Sequence, residues 1–228
     1  MRAVLWDMDG TIVDSEKLWD VAINELYARH DRVLAPEIRD STVGGSADGV
    51  IRIVFDDLGL DPDPAHMTDV ADWMHDRVGE LFGTGLPWCP GARELLDALQ
   101  AADVPMALVT NTRRALTENA LNSIGRHYFS VTVCGDEVDH GKPAPDVYLR
   151  AAELLGFAVT DCLAIEDSVT GSDAAEAAGC PVLVVPNEVE VPVSARRTFA
   201  GTLVGLTVAE LRSTYGDLTD QVGDRTAT

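Results

Sequence analysis

Val4-Leu5-Trp6-Asp7-Met8-Asp9-Gly10-Thr11 is the stretch that decides the fold. Three apolar residues running into an acidic turn that closes on glycine read as a buried strand whose carboxyl end opens into a polar loop. Beyond that turn the period changes. Over residues 15 to about 30, Leu18, Trp19, Ala22, Ile23, Leu26 and Tyr27 recur at helical spacing, with Asp14 or Ser15 in the N-cap position. Gly44-Gly45-Ser46 breaks the chain, a second helix is expected over about 50–58, and Pro62 and Pro64 precede a third over about 67–82. Residues 15–83 therefore read as all-helical.

After a connector rich in glycine and proline, helices and strands alternate. Helices are expected over 92–102, 114–124, 146–155 and 171–178, and strands over 105–109, 129–134, 162–165 and 182–185. Alternation of this kind predicts an α/β class: a Rossmann-like parallel sheet with helices on both faces, to which the first strand also belongs. The core is then discontinuous, residues 1–14 and 84–228, and residues 15–83 form an inserted helical cap domain. Toward the end, Leu203-Val204 is expected as a last strand, 208–211 as part of a short helix, and 216–228 as a mobile tail.

Composition narrows the function classes. Asp and Glu number 38 against 17 Lys and Arg, a net charge of −21 over 228 residues, and only Lys17 and Lys142 are lysines. A field of that sign repels polyanions, so nonspecific nucleic-acid binding and anionic membrane surfaces are disfavoured as partners. No apolar run is long enough to cross a bilayer, and the start is charged too early for a signal peptide, which makes the cytoplasm the expected compartment. Cys89, Cys134, Cys162 and Cys180 are scattered with no C-x-x-C spacing, and read as reduced thiols. The five histidines form no metal-ligand spacing.

In open parallel sheets, ligands bind outside the carboxyl ends of the strands. Those ends carry Asp7 and Asp9, Thr110-Asn111-Thr112, and Glu166-Asp167-Ser168, with Lys142 in the loop Gly141-Lys142-Pro143-Ala144-Pro145. Four carboxylates on one edge repel one another unless a cation sits among them. Hard oxygen ligands without His or Cys suit Mg2+. A hydroxyl, an amide and a lysine on the same rim make an oxyanion clamp.

With these motifs in this order, the chain resembles the haloacid dehalogenase superfamily, in particular its phosphatases and phosphomutases with a helical cap of the β-phosphoglucomutase type. The resemblance spans nearly the whole chain and runs through Asp7-Met8-Asp9-Gly10-Thr11, Thr110, Lys142 and Glu166-Asp167. It implies a two-step phosphoryl transfer with Asp7 as nucleophile and Asp9 as general acid and base. It gives Mg2+ the Asp7 carboxylate, the Asp9 backbone carbonyl and Asp167, with Glu166 holding a metal-bound water. Thr110 and Lys142 would bind the phosphoryl oxygens, with Asn111 and Thr112 as further donors. In the cap, Gly45 and Ser46 correspond to a substrate-specificity loop, and Trp19, one turn into the first cap helix, is a further candidate substrate contact.

The expected function is a Mg2+-dependent phosphatase acting on a small phosphorylated metabolite, with the cap closing over the core. A sugar phosphomutase of the β-phosphoglucomutase kind is the alternative. Where that enzyme uses a histidine early in the first cap helix and an arginine in the specificity loop, this chain has Trp19 and Ala47, so a second phosphate lacks an obvious clamp. Haloacid dehalogenation fits less well, because that branch needs no metal and no acid/base residue at the place of Asp9. An aspartyl-phosphate signalling switch is disfavoured by topology, since its phosphorylated Asp ends a later strand. The sequence leaves the physiological substrate and the oligomeric state open.

Overall fold

The computed structural model describes residues 1–42, 47–82, 87–187 and 190–226. The chain divides into two compact units, residues 1–14 with 87–228, and residues 15–86. The first unit is built on six parallel strands: β1 (Ala3–Trp6), β2 (Met106–Val109), β3 (Val131–Val133), β4 (Cys162–Glu166), β5 (Val182–Val184) and β6 (Arg197–Phe199). Their spatial order is β3-β2-β1-β4-β5-β6. Every residue of β1, β2, β4 and β5 is buried, as a sheet covered on both faces requires.

Side-chain alternation divides the strands between two layers. Ala3, Leu5, Ala107, Val109, Cys162, Ala164, Val182 and Val184 share one core cluster with Val147, Tyr148, Ala151 and Ala152 of α7 (Asp146–Leu155) and Ala174 and Ala175 of α8 (Val169–Ala177). The alanines on both sides let these two helices approach the sheet closely. Val4, Trp6, Leu108, Leu163 and Ile165 point to the other face, and all are buried. The remaining helices of this unit are α5 (Ala92–Ala101), α6 (Arg114–Ile124) and α9 (Val208–Thr226).

The second unit holds α1 (Glu16–Arg29), α2 (Pro36–Thr42), α3 (Ala47–Leu58) and α4 (Pro64–Phe82). Its core is Ile23, Leu26, Tyr27, Ile51, Val54, Phe55 and Met74. Arg77 on α4 makes a two-pronged pair with Glu25 on α1, at 2.7 and 2.8 Å, and the Tyr27 hydroxyl donates to Asp57 at 2.9 Å. No described helix is long and apolar enough to cross a membrane.

Two expectations are corrected, and one helix is added. Leu203 and Val204 are not a strand. Leu203 is buried in a turn between Gly201 and Gly205, and the sixth strand is Arg197–Phe199. That edge strand is polar, and the buried guanidinium of its first residue, Arg197, is paired with Asp173 and Glu176 of α8 at 2.5 and 2.9 Å. The segment read as a tail from residue 216 is helical through Thr226: Leu211 and Leu218, two turns apart, are both buried, and the Tyr215 hydroxyl donates to the Thr160 carbonyl at 2.9 Å. Helix α2 has no counterpart in the sequence reading, being a single short element of mixed polarity.

Candidate active site

Strand β1 lies at the centre of the sheet and the strand order reverses about it, which opens a crevice at its carboxyl end. Asp7 is the first residue beyond β1, and its backbone N–H donates to Ile165 of β4 at 3.0 Å. Thr110 follows β2 and donates its N–H to Val133 of β3 at 3.0 Å. Glu166 ends β4 and Asp167 follows it. Parallel register thus delivers three strand ends to one edge.

Lys142 ties them together. Its ammonium donates to Asp7 Oδ1 and to Glu166 Oε1, each at 2.6 Å, and only 4% of its side chain is exposed. The loop backbone is fixed as well. The Asn111 side chain receives the Lys142 N–H on Oδ1 at 2.6 Å and donates Nδ2 to the Lys142 carbonyl at 3.0 Å. Expected as a phosphoryl donor, Asn111 gives its Oδ1 and one Nδ2 hydrogen to the lysine it positions. Gly141 makes this possible, since a Cβ there would lie 2.7 Å from Asn111 Oδ1.

Glu166 is fully buried and accepts three side-chain bonds: Tyr148 OH at 2.5 Å and Lys142 on Oε1, and Ser168 Oγ at 3.3 Å on Oε2. Ser168 also caps α8, receiving the Gly171 N–H at 3.1 Å. The carboxylate rests against Gly171, where any Cβ would overlap it. Helix propensity alone makes Gly171→Ala stabilising by about 1 kcal/mol. With Glu166 locked by its donors, the overlap reverses that sign, and denaturant unfolding should show a loss of about 1–3 kcal/mol. Gly10, with φ of +83°, is constrained in the same way by the Asp167 carboxylate.

Asp9 turns to the other side of the crevice. Its Oδ2 accepts from Thr110 Oγ1 at 3.0 Å and Thr112 Oγ1 at 2.7 Å, and the Thr112 N–H in turn donates to Thr110 Oγ1 at 3.0 Å. The two threonines therefore orient the Asp9 carboxyl. Trp19 lies in the helical unit, packed on its core and edge-on to His75 with ring centroids 5.4 Å apart. Gly45 and Ser46 lie outside the described residues.

Burial and crowding set the charge state of the acids. Asp7 is pushed up to about 7, first by burial and then by the Glu166 charge, with Lys142 opposing. Asp167 is pushed up to about 9 by burial and by the charges of Asp7 and Glu166. Oxygen atoms of Asp7, Glu166 and Asp167 lie within 4.8 Å of one another. Asp7 Oδ2 is buried and has no hydrogen-bond partner among the described residues. An orphaned carboxylate oxygen in an all-oxygen cluster, whose acids are raised by burial and mutual repulsion, fits a hard divalent metal ion. Tyr148, Ser168 and Gly171 were not singled out for roles by sequence; the available signal was a lone tyrosine on the apolar face of a helix starting just after Lys142, since a buried phenol needs a partner.

The profile of the haloacid dehalogenase-like hydrolases matches residues 1–179. The chain belongs to this family. The hydrolase is 34% identical over 196 residues to the protein CbbY of Rhodobacter capsulatus, covering 82% of this chain and 86% of that one. It is 33% identical over 200 residues to the phosphoglycolate phosphatase of Escherichia coli O157:H7, covering 79% of each. Among solved structures, a variant of CbbY from Rhodobacter sphaeroides in complex with xylulose-(1,5)bisphosphate superposes on the hydrolase with a TM-score of 0.79 at 27% identity, covering 92% of this chain and 99% of that one.

Proposed function

We propose that the hydrolase is a Mg2+-dependent phosphatase that cleaves a small phosphomonoester through a phosphoryl group carried on Asp7. One arrangement supports this reading above others. Asp7 ends the central strand with Oδ1 held by Lys142 and Oδ2 unpartnered among the described residues, inside a cluster of three carboxylates. In the first step an Asp7 oxygen bonds to phosphorus as the ester P–O bond breaks, and Asp9 gives a proton to the departing alcohol oxygen. In the second, water attacks phosphorus, Asp9 takes its proton, and the bond from phosphorus to Asp7 breaks. The sum is ester plus water giving alcohol plus phosphate.

The other residues serve those two steps. Lys142 spends two of its three N–H donors on Asp7 and Glu166, which leaves one for a phosphoryl oxygen. Thr110 and Thr112 hold Asp9 in one orientation for both proton transfers. Asp7 and Asp167 would hold Mg2+ with Glu166 beside them, and by the resemblance the Asp9 carbonyl joins them. When bound, the ion offsets the charge of the carboxylates and of the phosphoryl oxygens.

The raised acids make a thermodynamic prediction. Between the ordinary aspartate value near 4 and the folded values of about 7 and about 9, the folded protein binds more protons than the unfolded one, so its stability falls as pH rises through that window. The metal-free hydrolase should therefore lose thermal stability from about pH 5 toward about pH 9 at this site, and millimolar Mg2+ should raise Tm by several degrees at about pH 8 but little at about pH 5, where protons compete. An equal Mg2+ shift at both pH values would contradict the assignment.

Because the relatives include a phosphoglycolate phosphatase and a protein crystallised with xylulose-(1,5)bisphosphate, sugar phosphates and short acid phosphates head the substrate screen. Phosphate release is measured for each with Mg2+ or EDTA, with and without a bisphosphate activator. Mg2+-dependent release without activator supports the phosphatase. Strict dependence on the activator, with isomerised product, would replace it with a phosphomutase.

A further inference from the structure

We infer that Tyr148 is a positioning residue for Lys142: its hydroxyl fixes the Glu166 carboxylate, and that carboxylate sets where the Lys142 ammonium sits. What the ammonium does rests on the phosphatase reading. How it is held rests on geometry alone. Tyr148 lies on the buried face of α7, which starts directly after the loop carrying Lys142. The two side chains therefore reach one atom from the same stretch of chain: Glu166 Oε1 accepts from Tyr148 OH at 2.5 Å and from Lys142 Nζ at 2.6 Å.

The carboxylate has little freedom to relocate. Ser168 holds its other oxygen at 3.3 Å, and Gly171 stands against it. The tyrosine also bounds the ammonium directly, with Nζ 5.3 Å from the ring centroid. Asn111 clamps the lysine's backbone, but four rotatable bonds separate that clamp from Nζ. Among the described residues the far end is held by Asp7, Glu166 and the Tyr148 ring. A donor of transition-state charge is most effective when its position is set before reaction, and partners that orient an active-site group in this indirect way are typically worth about 10–100-fold in activity.

A purely structural tyrosine would move stability alone, so the test separates the two. Tyr148→Phe removes one oxygen and keeps the ring. Steady-state kinetics on an aryl phosphate with saturating Mg2+ should show kcat falling about 10–100-fold with KM within about threefold of wild type. Amine acylation of the metal-free protein, read by peptide mass spectrometry, gives a second readout that needs no activity. The chain has two lysines, so exposed Lys17 is the internal reference for Lys142. Acylation of Lys142 relative to Lys17 should rise several-fold in the variant, while a parallel thiol alkylation that leaves the buried Cys162 and Cys180 unlabelled certifies the fold.

Unchanged kcat with unchanged Lys142 labelling in the folded variant overturns the inference and leaves the phosphatase reading intact. A fall in kcat without a change in labelling, or a change in KM alone, also overturns it. Raised Lys142 labelling in a protein whose wild type releases no phosphate keeps the positioning role and removes the phosphatase reading.

Discussion

Asp7→Asn is expected to lower Mg2+-dependent phosphate release by at least about a thousandfold, the scale on which loss of a nucleophile is felt. The substitution keeps size and shape. Asp7 is buried at the end of β1, and its backbone bond to Ile165 is indifferent to the side chain, so the sheet edge is retained. The amide, however, cannot form an acyl phosphate, and the cluster loses one of its three carboxylates. The change has a second, opposite signature. Because burial and Glu166 already push Asp7 up to about 7, its ionised form destabilises the metal-free protein above that pH. At about pH 8 the metal-free variant should therefore melt higher than wild type, by a few degrees, while gaining less from Mg2+. Parallel Tm and activity measurements check both. An active Asp7→Asn protein removes the proposed nucleophile outright.

Lys142→Ala should cost about 100–1,000-fold in kcat, as loss of a preorganised charge-stabilising donor does. It should also cost stability, because the ammonium is the counter-ion of two buried acids. Removing one partner of a buried ion pair typically costs about 3–5 kcal/mol, and here, among the described residues, Glu166 would keep the Tyr148 and Ser168 hydroxyls alone. Lys17→Ala is the matched control. Lys17 is exposed on α1, and its loss should change stability by roughly 0.5 kcal/mol or less. With two lysines in the chain, comparing the two variants by denaturant unfolding and kcat separates the proposed role of Lys142 from the general effect of making an already acidic protein more so.

The parts of this arrangement that were legible in the sequence are those carried by period and punctuation. Val4-Leu5-Trp6 running into Asp7 gave the central strand, and helix–strand alternation from residue 92 gave its neighbours β2, β3, β4 and β5 within a few residues. Elements whose burial depends on partners were not legible. Strand β6 is polar, and only the acids of α8 make Arg197 a residue for the inside. The last helix does carry Val208, Leu211, Tyr215 and Leu218 at helical spacing, but Gly216 and the polar residues around it read as the start of a tail. The same limit applies at the site. Strand-end position drew Asp7, Thr110, Glu166 and Asp167 to one edge, but side-chain partners are not written in spacing. Asn111 holding Lys142, the threonines holding Asp9, and Tyr148 beneath Glu166 are all products of tertiary approach.

The net charge of −21 also takes on a local meaning. Most of it lies outside the crevice, where it bears on partners and solubility. Inside, three clustered acids surround one buried lysine, an imbalance that a divalent cation would offset.

The central claim is that phosphorus is carried on Asp7, and borohydride trapping tests it most directly. Protein quenched during turnover with Mg2+ and substrate is reduced, which converts an aspartyl phosphate to homoserine, and the peptides are mapped by mass. Homoserine is expected at position 7 and at no other aspartate, and is absent when substrate is omitted. Homoserine at another position, or continued turnover with residue 7 unmodified, would contradict it.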